Sequence, residues 1–227
     1  MELLVPDAAD RLGVSAGRVR DLIRSGDLPA RQVAGRWFID AADIEAAKGR
    51  PAGRPLSPRM AWGLISMVES GDAAALDRAE RSKLRRRLRA LPSLDQVAPL
   101  CRRRSIISRY RVHPGSLGRI RVFEPAILSG ASAPGQNMID LRGIEIYLPQ
   151  AHVAHFSRTF RAQRDAPDPN VIVRVPNEVP WPFPSGVAGP AVIALDLFDS
   201  GDGRSRREAR AMWEELMARR RFEDLRR

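Results

Sequence analysis

Along the first fifty residues the apolar positions recur at helical spacing in two short runs. Ala8, Ala9 and Leu12 mark a helix from Pro6 to Leu12, and Gly13 stops it. Val14-Ser15 opens a second helix with Ser15 as N-cap. Val19, Leu22 and Ile23 form its buried stripe, and Ser25-Gly26 ends it. The opposite face carries Ser15, Arg18, Arg20, Asp21 and Arg24. A short helix, a tight turn with Gly and a basic second helix predict a helix-turn-helix. Residues 30–39, two β-rich runs joined by Ala34-Gly35, predict a hairpin wing, and Asp40 caps a last helix through Lys48 with Ile44 facing inward.

Several short blocks carry a family likeness: Leu3-Leu4-Val5-Pro6, Ala8-Ala9, Leu12-Gly13-Val14-Ser15, Val19, Leu22 through Ala30, and Gly35-Arg36-Trp37. Together they resemble the excisionase/MerR-like winged-helix family over about 47 residues. The resemblance implies double-stranded DNA as partner. Ser15, Arg18, Arg20 and Arg24 would lie on a recognition helix in the major groove, with Arg31, Gln32, Arg36 and Trp37 on a wing touching phosphate or the minor groove. Trp37 reads first as wing packing. Ala16-Gly17 stand where family members often carry polar or basic residues, and Phe38 replaces a frequent basic one.

Residues 50–56, rich in Gly, Pro and Arg, read as a linker. Ser57-Pro58 then supplies an N-cap and a proline at the first helical position. Met60, Ala61, Leu64, Ile65 and Val68 line the helix that follows, which ends near Gly71. Leu76, Leu84, Leu88 and Leu91 suggest a second helix. Ser93-Leu94-Asp95-Gln96 reads as a capping box for a third, within which Pro99 predicts a kink. From Ser105 to Val112, Arg109 and Arg111 alternate with Tyr110 and Val112 as in a strand. Residues 57–125 are thus compatible with a second, degenerate winged helix or with a helical connector resting on DNA phosphates.

From residue 126 onward strand-like and helical runs alternate. Ala126–Leu128, Gly143–Leu148 and Val171–Val175 read as strands. Gln150–Gln163 and Ala191–Phe198 read as helices, with a proline-rich loop from Pro176 to Pro190. Ser205-Arg206-Arg207-Glu208 predicts a capping box for a terminal helix striped by Ala209, Met212, Trp213, Leu216 and Met217. The blocks Ile127 through Ala133, Glu145 through Pro149, and Pro190 through Leu197 with Ser200-Gly201-Asp202 resemble the C-terminal region of AbiEi-type antitoxins. That resemblance covers roughly 100 residues. It implies a regulatory antitoxin paired with a nucleotidyltransferase-like toxin and repressing its own operon, although the family's usual N-terminal winged helix is of another type. The expected fold class is α+β: a winged helix over 1–49, a linker over 50–56, a basic segment over 57–125 and an α/β regulatory domain over 126–227.

Charge changes this picture in one respect. The 227 residues hold 38 Lys+Arg against 27 Asp+Glu, a formal charge of +11, yet the excess is not spread evenly. Residues 1–50 balance to zero and residues 126–227 carry +1, so the middle segment alone carries +10. Only Lys48 and Lys83 are lysines; a GC-rich genome accounts for the choice of arginine but not for its placement. Clustered cations behind a DNA-reading motif point to phosphate contacts from Arg85, Arg86, Arg87, Arg102, Arg103, Arg104, Arg109 and Arg111.

Chemical signals are few. Cys101 is the single cysteine, which excludes an intramolecular disulfide. His152 and His155 have no obvious third ligand and read as a core or surface pair. Asp196, Asp199 and Asp202 miss the calcium-loop spacing and suit a helix end followed by a cap. No nucleophile elbow or phosphate loop is present. The expectation is a DNA-binding regulator without enzymatic activity, cofactor or metal, compatible with a homodimer; the alternatives are an excisionase-type architectural factor for site-specific recombination and a protein-binding antitoxin or adaptor whose DNA contact is incidental. It is expected in the cytoplasm, since no apolar run is long enough to span a bilayer.

Overall fold

The computed structural model describes residues 2–24, 28–33, 35–48, 54–91, 93–135, 143–200 and 202–224. The N-terminal unit is built from β1 (Glu2–Leu4), α1 (Val5–Leu12), α2 (Ala16–Arg24), β2 (Arg31–Val33), β3 (Arg36–Asp40) and α3 (Ala41–Lys48). Gly13 adopts the left-handed conformation that closes α1, and the Ser15 hydroxyl accepts from Arg18 N at 3.2 Å to start α2. Asp40 accepts from Ala42 N at 2.9 Å and starts α3. The wing forms as expected, with Gln32 opposite Trp37, but β1 adds a third antiparallel strand on its other side, Leu3 opposite Ile39. Three residues are too few for periodicity to register, so β1 has no signature in the sequence. Val5, Ala8, Ala9, Val19, Leu28, Ile39 and Ile44 make a separate small core. The Ser25-Gly26 helix end and the Ala34 half of the wing turn fall outside the described residues.

The remaining elements share one sheet. They are α4 (Pro58–Ser70), α5 (Arg78–Ala90), α6 (Leu94–Cys101), β4 (Ser105–Arg111), α7 (Leu117–Ile120), β5 (Ile127–Leu128), β6 (Ile144–Tyr147), α8 (Val153–Phe160), β7 (Gln163–Arg164), β8 (Val171–Pro176), α9 (Pro190–Asp199) and α10 (Gly203–Asp224). The strand order is β5-β6-β8-β4-β7, antiparallel except for the parallel β6–β8 pair. One face is covered by α4, α6, α9 and α10 around Leu64, Leu84, Val97, Leu195 and Trp213. The other is covered by α7 and α8 around Ile146, Val173, Phe156 and Phe160.

Residues 57–125 therefore have no core of their own. Strand β4 pairs with β8 over six residues, and α4 and α6 pack on α9 and α10, so no structural boundary falls at 125/126 and the basic segment is not a second winged helix. The linker is also shorter than expected. Leu56 is buried and its N–H donates to Leu100 O at 2.9 Å, which brings it into this core.

Three helix ends differ from expectation for local reasons. The Ser93 hydroxyl donates to the Gln96 side chain at 3.0 Å and caps no backbone N–H, so the reciprocal box is absent there. It occurs instead at α5, where Asp77 and Glu80 exchange bonds at 2.8 and 3.0 Å. Helix α10 begins at Gly203 because Asp202 accepts from Arg204 N and Ser205 N, leaving Ser205 buried inside the helix. Helix α8 stops at Phe160, where Arg161 turns left-handed (φ 48°), and Gln163-Arg164 leave it to pair with β4.

A carboxylate links distant segments at α9. Glu69 of α4 accepts from Ala191 N at 3.0 Å and Val192 N at 3.3 Å, capping the start of α9 from outside. The two units touch where the largely buried Arg206 of α10 pairs with Asp43 of α3; burial lowers the Arg206 pKa to about 10.

Candidate nucleic-acid interface

Helix α2 is held by one side and open on the other. Val19 is fully buried, and consecutive helical residues turn about 100°, so Arg18 and Arg20 leave the helix on opposite flanks of Val19. Arg20 and Arg24 lie one turn apart and share a face, while Arg18 neighbours Asp21. All three arginines are exposed, as is Ser15. Arg24 is drawn back along the helix by Asp21, at 2.8 Å. Arg20 is thus the strongest candidate on this helix for reaching a base edge.

The wing divides its predicted contacts. Gln32 and Arg36 are exposed, whereas Trp37 is half-buried against the small core, as its packing reading expects. Arg31 is exposed but committed: its guanidinium grips Glu2 of β1 through two bonds, at 2.7 and 2.5 Å, and lies 5.2 Å from the Phe38 ring centre. This pairing lowers the Glu2 pKa and raises that of Arg31, both through the shared hydrogen bond first. A phosphate approaching Arg31 must compete with Glu2.

The basic runs of the middle segment fall in different environments. Arg85 and Arg86 stand exposed on α5, Arg87 is half-buried, and Arg85 lies 3.8 Å from Asp72. Arg102, Arg103 and Arg109 are exposed near the entry to β4 and along it, and Arg111 donates to Asp168 O at 2.7 Å.

Arg104 corrects the phosphate expectation. It is 1 % exposed and donates to Asp196 and Asp199, each at 2.6 Å, so no DNA phosphate can reach it. Period-two alternation explains its setting. Ile144 and Ile146 of β6, and Val171 and Val173 of β8, face α7 and α8, which sends Glu145, Tyr147 and Arg174 to the α9 side. There Arg174 binds Glu145, approaches Asp196 at 3.2 Å and reaches Asp199 at 3.3 Å. Tyr147 donates to Asp196 at 3.0 Å, and the Ser129 hydroxyl donates to its other oxygen. Asp196 and Asp199, expected at a helix end, thus anchor α9 to the sheet.

Three carboxyl groups face two guanidiniums in this cluster. Burial of Glu145 outweighs its pairing with Arg174 and raises its pKa to about 7. The neighbouring Cys101 thiol is pushed up to about 12, also by burial first, and is inert near neutrality. The cluster leaves little trace in the sequence because its charged members come from four segments. One signal is available: Asp196 interrupts an otherwise apolar run from Ala191 to Phe198. His155 stacks on Phe123 at 5.7 Å between ring centres.

Comparison with known proteins bears on the first unit. Residues 3–49 match the family described as helix-turn-helix domain. That match covers the turn, both helices and the wing described above, and it suggests a DNA-binding helix-turn-helix protein. No curated protein and no solved structure matches the chain. Among the described residues no helix is long and apolar enough to cross a membrane.

Proposed function

We propose that this protein is a sequence-specific DNA-binding transcriptional regulator, an AbiEi-like antitoxin that represses its own operon and has no catalytic role. The observation that carries the DNA-reading part is the exposed basic face of α2, with Arg20 and Arg24 one turn apart, inside a helix-turn-helix whose cap and wing are both formed. The antitoxin part rests on the resemblance of residues 127–133, 145–149 and 190–202 to that family. It is supported by the size of the second unit, since a plain architectural excisionase has little use for a further folded domain. A nucleotidyltransferase-like toxin is the partner this reading implies. A dimer on two half-sites suits so small a reader, because effective concentration multiplies two modest affinities.

Footprinting and binding-competition assays on the upstream region of the gene test the reading. Arg20→Ala should cost about 1–3 kcal/mol of discrimination between operator and random duplex. A folded Arg20→Ala/Arg18→Ala variant with unchanged site preference sinks the assignment. Failure to co-purify with the product of an adjacent nucleotidyltransferase-like gene removes the antitoxin part alone.

A further inference from the structure

A hollow of about 550 Å³ opens on the α7–α8 side of the domain, far in sequence from the reader. Its lining brings together three arginines from three different elements: Arg111 at the end of β4, Arg119 in α7 and Arg161 at the end of α8. No carboxylate lines it among the described residues. Like charges gathered in a concave surface without counter-charge repel one another, and an anion relieves that repulsion.

The side chains are set for accepting ligands rather than for pairing internally. Arg111 is steadied by Asp168, but through the backbone carbonyl, at 2.7 Å, which leaves its charge uncompensated there. Arg119 lies over the Phe160 ring at 5.6 Å, a contact that orients the guanidinium. His113 accepts from Gly115 N at 3.1 Å through Nδ1, which leaves Nε2 as the ring nitrogen that can donate to a ligand. Ser116 adds a hydroxyl to the same wall. Phe160 is 5 % exposed beneath Arg119 and has no open face for a nucleobase.

We propose that this hollow is a phosphate-binding site, with Arg111, Arg119 and Arg161 as its cations and His113 as a further hydrogen-bond donor. Guanidinium groups match phosphate oxygens in geometry as well as charge. The volume lies within the range of small-molecule sites, about 300–1,000 Å³, and leaves room for a substituent on the phosphate. The phosphate belongs either to a free phosphorylated molecule or to a nucleic-acid backbone. The site stands independently of the helix-turn-helix reading.

Calorimetry on the full chain with inorganic pyrophosphate, and separately with a short random-sequence duplex, tests it. The variant Arg119→Gln/Arg161→Gly is designed to keep the fold, since Gln retains a stem over Phe160 and Gly tolerates the left-handed φ at 161. Its thermal midpoint reports whether it does. Arg204→Ala/Arg207→Ala, at two exposed positions at the start of α10, serves as a charge-matched control. The expected result is pyrophosphate binding that weakens about tenfold or more in the Arg119→Gln/Arg161→Gly variant and is unmoved by the control. If the duplex weakens in parallel and pyrophosphate displaces it, the phosphate is a nucleic-acid backbone; if the duplex is unaffected, it is a free phosphorylated molecule. A folded variant that matches wild type with both probes overturns the site. Arg20→Ala should leave pyrophosphate binding intact, which separates this test from that of the DNA reader.

Discussion

Replacing Arg104 with Met separates a phosphate contact from a structural cation. Arg104 is 1 % exposed and holds Asp196 and Asp199 at 2.6 Å each, while its Nε has no hydrogen-bond partner. Met fills a similar volume but leaves two carboxylates short of a donor. Asp196 keeps Tyr147, Ser129 and Arg174, and Asp199, 26 % exposed, can turn toward water. Breaking one side of a buried pair costs about 3–5 kcal/mol, and these remaining partners place Arg104→Met toward the lower end. Against a domain stability of about 5–15 kcal/mol that is a large fraction, so urea unfolding should show a clearly lowered midpoint. Arg104→Lys keeps the charge and loses the fork, and should fall between Met and wild type. Were Arg104 a DNA contact, the outcome would invert: stability unchanged and affinity for random duplex reduced. A stability within about 0.5 kcal/mol of wild type would refute the buried-network account.

Three further outcomes rest on the same geometry. With the Glu145 pKa raised to about 7, the native state holds a proton that the unfolded state releases near 4.5. Stability should therefore fall as pH rises between those values, by up to about 1.4 kcal/mol per unit, and Glu145→Gln should flatten that slope in urea titrations at several pH values. Glu69→Ala removes the carboxylate that caps α9 and should cost about 0.5–2 kcal/mol by thermal unfolding, with Glu69→Gln recovering part of it. Replacing Arg85, Arg86 and Arg87 with Ala should weaken operator and random DNA alike, lowering the log–log salt slope by about 0.9 for each phosphate no longer neutralised; an unchanged slope would show that α5 lies away from the DNA.

What the sequence determined by itself is local. The caps at Ser15, Asp40 and Ser57, the left-handed stops at Gly13 and Gly71, the wing and the apolar stripe of α4 all follow from interactions within a few residues. The helix-turn-helix was legible because turn, cap and wing fall within one short span. Its residues act through the surface of single elements, so exposure could be read from periodicity. Tertiary structure decided everything that depends on which segments meet. It paired β4 with β8, which merged a +10 segment and a balanced one into a single domain. It also divided one run of three arginines, leaving Arg102 and Arg103 exposed at the surface while Arg104 turned inward to Asp196, 92 residues away. It likewise gathered Arg111, Arg119 and Arg161 around one hollow. Charge along a chain reports how many cations there are. Whether a cation is solvated, paired or poised for a ligand depends on burial and on partners supplied from elsewhere in the fold, because the energy of a charge is set by its surroundings and not by its neighbours in sequence.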